Sequence, residues 1–77
     1  MFNREKRKIK RRIEYYKNEI ELIEKKRFRS QSALVDAILT NKVPKDEDVD
    51  YFNSYTGQID SLRELLRQLQ DELKNLG

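Results

Sequence analysis

Arg4, Lys6, Arg7, Lys8, Lys10, Arg11 and Arg12 crowd seven cations into nine positions, with only Glu5 and Ile9 between them. Cations at the start of a helix oppose its macrodipole, so helix stability does not select for them. Side chains of this type and density neutralise phosphates, which gives salt-dependent, sequence-blind affinity for DNA or RNA. Phe2 alone interleaves with the charges. No set of aromatics is present for stacking bases, and sequence-specific readout is not expected. Two other roles fit the same residues, a frayed solvated tail and pairing with the acidic segment of another copy. That segment is Asp46, Glu47, Asp48 and Asp50. Its ordinary role is to cap the start of a helix and complement its dipole. As metal ligands these acids lack the glycine and distal glutamate of a calcium loop.

Other chemistry has little to stand on. Histidine and cysteine are absent, which removes the common nucleophile and base pairs, disulfides and the usual zinc ligand sets. There is no glycine-rich phosphate loop, and two helices alone form no concave pocket. The expectation is a protein that binds and does not catalyse, without cofactor or metal.

The elements that carry these residues follow from apolar spacing. Phe52, Tyr55, Ile59, Leu62, Leu66, Leu69, Leu73 and Leu76 step alternately by three and four, an unbroken heptad seam. Phe2, Ile9, Ile13, Tyr16, Ile20, Ile23, Leu34 and Ile38 gather on one stripe of an earlier helix. Between the runs, Asn41 suits a left-handed cap, Pro44 cannot continue a helix, and Asp46 can start the next. The expected fold is all-α, an antiparallel, coiled-coil-like two-helix hairpin with helices over about 3–40 and 47–76 and a bend over 41–46. Facing positions in such a hairpin have numbers that add to a constant. Pairing Ile20 with Leu69 gives 89 and Ile38 with Phe52 gives 90. This register sets residues 12–77 as the hairpin and leaves 1–11 as a basic overhang. It also predicts a polar layer in the seam at Arg27 and Gln31, with Arg27 reaching Asp60 or Glu64 at the edge. Asn53, Ser54, Thr56 and Gly57 are poor helix formers, and predict either a soft turn or a kink recapped by Ser54 or Thr56.

At 77 residues one domain at most is expected, and chains this short need a staple, which without cysteine or histidine is self-association. Two hairpins forming a homodimeric four-helix bundle would supply it. Phe28, Val35 and Leu39, near Val43 and Val49, lie off the seam beside the bend and make a patch for a partner protein or a second copy. Tyr15, Leu22 and Leu65 lie on other faces toward the open end. No apolar run reaches the roughly 18 residues that cross a bilayer, and the basic start has no apolar stretch behind it to make a secretory signal. No membrane role is expected, and the cytoplasm is the default location.

The architecture resembles, in shape alone, the plasmid copy-number hairpins that dimerise into a four-helix bundle and bind RNA loops. The stretch Thr56, Gly57, Gln58, Ile59, Asp60, followed by Leu62, resembles the Ser-Gln-Glu-Leu-Asp motif of the sporulation aspartyl-phosphate phosphatases, with the aspartate identical and the glutamate missing. That resemblance implies a small regulator of a response-regulator phosphate. The residues themselves favour a small adaptor or regulator, suited to a phage or mobile element, that binds a protein. The alternative is a nucleic-acid accessory protein using the basic arm.

Overall fold

The structure is a computed structural model that describes the backbone of residues 2–76 and the side chains of residues 4–76. Two helices, α1 (Phe2–Leu39) and α2 (Asp46–Leu76), run antiparallel as one hairpin. The Cα extents are 60 × 16 × 14 Å. The expected side chain of Phe2 in the seam, and the expected position of Gly77 beside Arg12, lie outside the described residues.

The bend is built from hydrogen bonds that the cap residues make available. Asn41 adopts φ 55°. Its N–H donates to the Ile38 carbonyl (3.1 Å) and the Lys42 N–H to the Ala37 carbonyl (2.7 Å), the Schellman closure that satisfies the last carbonyls of a helix. Thr40 Oγ1 donates to the Asp36 carbonyl at 2.8 Å. On the far side of Pro44, the Lys45 carbonyl accepts from the N–H groups of Asp48 (3.0 Å) and Val49 (3.2 Å). Lys45 is therefore the capping position. Asp46 stands one residue inside it, where with Glu47 and Asp48 it complements the positive end of α2.

The apolar seam forms two clusters. Ile9, Ile13 and Leu69 are buried together against Tyr16, Leu66, Leu73 and Leu76. Ile20, Ile23 and Ile59 are buried together against Tyr55, Leu62 and Leu66. These memberships correct the register. Leu69 packs with Ile9 and Ile13, not with Ile20, and Ile59 packs with Ile20 and Ile23. Ile13 with Leu69, and Ile23 with Ile59, both give 82, one heptad below the expected value. A seam of period seven fixes such a sum only to within multiples of seven, and the length of the bend chooses among them. Sliding α2 by this amount carries its last turn alongside Glu5, Lys8, Ile9 and Arg12, which share a groove with Glu72, Asn75 and Leu76. The basic segment is thus mostly part of the hairpin, with Ile9 buried.

The shift also leaves the last turn of α1 without a facing turn, so Ile38 is 64% exposed and does not meet Phe52 in a core. Counting on from Ile23 by fours and threes, the seam near the bend is Arg27, Ser30, Leu34 and Ala37, all half-buried, whereas Gln31 is exposed. On the α1 side of this end of the hairpin, Leu34 is the one large apolar side chain of the seam.

α2 passes through Asn53–Gly57 without a break. Thr56 Oγ1 donates back to the Phe52 carbonyl (3.0 Å) and Gln58 Nε2 to Ser54 Oγ (3.1 Å), so neither Ser54 nor Thr56 recaps a separate helix. A Cβ at Gly57 would meet nothing within 4 Å. Gly57→Ala is therefore expected to stabilise the chain by about 1 kcal/mol, raising the midpoint of a thermal circular dichroism melt by about 4–8 °C. A lowered midpoint would count against a merely tolerated glycine.

Candidate interaction surfaces

Each of the first turns of α1 has a buried and an outward side. Arg4, Arg7, Lys8 and Arg11 stand at i, i+3, i+4 and i+7, which places them on one face, and all four are exposed. Ile9 and Ile13 occupy the opposite side, against α2. Lys10 and Arg12 are exposed on the flanks and Lys6 is half-buried. None of these seven cations lies within 4 Å of a carboxylate among the described residues. α2 behaves differently. Arg67 bridges Glu64 (2.6 Å) and Asp71 (3.0 Å) on its own helix. The hydrogen bond from Arg67 holds the Glu64 carboxyl below its ordinary pKa. Among the described residues, the outward cations of α1's first three turns thus stand without an ion-pair partner.

The two broad sides of the hairpin differ in their apolar content. One side is marked by the ion pair from Arg63 to Glu24 across the helices, at 2.9 Å. Ile38 is fourteen positions after Glu24, and Val49 fourteen before Arg63, so heptad repetition puts both on this side. Phe28 and Val35 follow Glu24 and Gln31 by four, one row further out. Phe28 (67%), Ile38 (64%) and Leu39 (75%) are strongly exposed, with Val35 and Val49 less so. Val43, in the bend, is 91% exposed. The residues of the expected patch, Phe28, Val35, Leu39, Val43 and Val49, are therefore an exposed apolar set toward the bend. Ile38, assigned by its spacing to the core, joins it. Nearer the ion pair, Phe28 lines a shallow depression with Glu21, Glu24, Lys25 and Arg29.

The other side carries a groove lined by Glu19, Ile23, Ser54, Gly57, Gln58, Ser61 and Leu62. Tyr51 and Leu65 stand seven positions to either side of Gln58, and both are exposed, as are Tyr15 and Leu22 on α1. Tyr51 stacks on Tyr55 with centroids 6.1 Å apart, and Tyr15 meets Tyr16 edge-on at 5.4 Å.

The polar layer differs from its expected form. Arg27 is half-buried but makes no ion pair with Asp60 or Glu64 within 4 Å, since Glu64 is taken by Arg67, and Ser30 holds the seam position expected for Gln31. Within the phosphatase-like stretch, Ile59 is fully buried, which gives that position a core role. Among the described residues no three His, Cys, Asp or Glu side chains converge to hold a metal, and no helix is long and apolar enough to cross a membrane. No family model matches this chain, and no match was found among curated proteins or solved structures.

Proposed function

We propose that this chain is a non-enzymatic interaction protein of the cytoplasm, a small adaptor or regulator that binds another polypeptide through the side of the hairpin beside the bend. One observation carries the reading. Phe28, Val35, Ile38 and Leu39 are exposed where the α1 side of the hairpin's own seam holds Arg27, Ser30, Leu34 and Ala37. Burying four such side chains is worth about 1.5–3 kcal/mol each, a strong driving force for a helical surface that covers them. Capture from the native host, with nuclease present, tests this. A partner should persist through nuclease and be lost from Phe28→Asp, while Leu65→Asp on the other side retains it. Loss of all captured protein on nuclease treatment would sink the reading.

A second reading is supported by the unpaired outward face of Arg4, Arg7, Lys8 and Arg11. A row of four cations on a rigid helix follows a phosphate backbone without reading bases, which makes the chain a nucleic-acid accessory protein.

A further inference from the structure

The row of Arg4, Lys8 and Arg11 does not end with the third turn of α1. Continued in steps of four and three it passes Tyr15, Asn18 and Leu22 and arrives at Lys25 and Arg29, all of them exposed and all on the outward face. No acidic residue interrupts it. Lys26 stands beside the far end as Arg7 stands beside the near end, so two groups of cations are separated by about 20 Å of uncharged row. Among the described residues only Lys25 of these cations has an ion pair, a 3.9 Å contact with Glu21 in which the partners are 71% and 69% exposed. Such a pair holds the lysine weakly.

The distribution of charge over the two helices directs a polyanion to this row. α1 carries twelve cations against six acids, whereas α2 carries three cations against eight acids, and the row lies on the side of α1 that points away from α2. The middle of the row adds a second chemistry. Tyr15 is 59% exposed, and its ring meets Tyr16 edge-on with centroids 5.4 Å apart. Tyr16 packs against the seam cluster of Ile9, Ile13 and Leu69, so the exposed ring has a fixed neighbour. An exposed aromatic between two groups of cations suits an unpaired base, since the cations hold phosphates on either side and the ring offers a face for stacking. Bases inside a duplex are already stacked and paired, and leave such a ring unused. A lipid surface is a poorer match, because the apolar stripe of α1 that would enter a bilayer is buried against α2.

We propose that the outward row of α1 binds single-stranded nucleic acid lengthwise, with Arg4, Lys8 and Arg11 on phosphates at one end, Lys25 and Arg29 on phosphates at the other, and Tyr15 stacked on a base between them. This rests on the reading that the cations of the first turns neutralise phosphates, and it names the form of the nucleic acid. One tyrosine reads no sequence, so binding is sequence-tolerant. From Arg4 to Arg29 the row is about 38 Å long, the length of about 11 nucleotides at the spacing of about 3.4 Å in a stacked strand.

Fluorescence anisotropy with labelled oligothymidylates and a blunt duplex tests this. Affinity for the single strand should rise with length up to about 11 nucleotides and then level, and should exceed that for a duplex of the same length. Tyr15→Ala should weaken single-strand binding about five- to a hundred-fold, with the salt slope and the duplex affinity unchanged. Tyr15→Phe should bind as the unmodified chain does, while losing part of the tyrosine quenching that accompanies binding. Replacing Lys25, Lys26 and Arg29 with Gln should make the slope shallower by about 2, at about 0.7 per phosphate on a single strand. Circular dichroism confirms that each variant is folded. Equal affinity for single strand and duplex, a Tyr15→Ala chain that binds both as before, or a slope that the three Gln leave intact would each overturn the single-strand site, while phosphate neutralisation by the first turns stands. Tighter binding to vesicles of anionic lipid than to the oligonucleotide, undiminished by Tyr15→Ala, would assign the row to a membrane surface and overturn it too. An unmodified chain that binds neither strand nor duplex overturns the phosphate reading together with the single-strand site.

Discussion

Ile59→Ala is expected to cost the hairpin about 2–5 kcal/mol, the range for deleting a buried aliphatic side chain that its surroundings cannot fill. Ile59 is the one side chain among the described residues with no exposure at all, and it joins Ile20 and Ile23 in the middle of the rod. A chain of this size has a total stability of about 0.05–0.15 kcal/mol per residue, so the loss is a large share of the whole. At about 4–8 °C per kcal/mol, the thermal midpoint should fall by tens of degrees. Leu65→Ala is the matched control. It lies on the same helix at 42% exposure and should move stability by no more than about 0.5 kcal/mol. Midpoints measured by circular dichroism at low protein concentration separate the two. Equal shifts for both would contradict a core centred on Ile59. The ion pair between Arg63 and Glu24 is no substitute for this core, since both partners are about half exposed and such pairs contribute about 0–1 kcal/mol.

What the sequence made legible was the topology, and what it hid was the offset. Asn41, Pro44 and the alternating leucines of α2 state a hairpin through local rules, because a left-handed cap, a missing N–H and a step of three and four each act within a few residues. Register is different. Pairings summing to 82 and to 89 satisfy the same seam, and the choice depends on how six irregular residues span the bend. The misplacement of Ile38 and Gln31 has a second cause. Following large apolar residues along α1 leads from Ile23 to Leu34 and Ile38. Following the step instead leads to Arg27, Ser30, Leu34 and Ala37, and the structure keeps the step. The signal was therefore present, in small residues that carry little hydrophobic weight. The surplus apolar residues Phe28, Val35 and Leu39 were readable as off-seam from their positions, because two helices bury only one stripe each.

The register shift changes how the basic face must be tested. Removing residues 1–11 would also remove Ile9, which is buried with Ile13 and Leu69, so loss of nucleic-acid binding in a truncated chain could not be told from loss of folding. Substituting Arg4, Arg7, Lys8 and Arg11 with Gln avoids this, since all four are exposed and Gln has nearly the helix propensity of Lys and Arg. Fewer cations opposing the dipole should if anything firm up the first turns. Helicity and self-association should therefore be unchanged in the substituted chain. If the outward face contacts phosphates, affinity for duplex DNA should fall steeply with salt, with a slope of log K on log salt of about −0.9 per phosphate neutralised, hence about −3.6 for four contacts. Between 50 and 200 mM salt that slope amounts to about a hundred-fold loss of affinity. In the substituted chain both the affinity and most of the slope should disappear, on duplexes of any sequence alike, because phosphate contacts carry no base information. Fluorescence anisotropy titrations over a salt series measure both quantities. A slope near zero for the unmodified chain, or one that the four substitutions leave intact, would rule out phosphate neutralisation by this face.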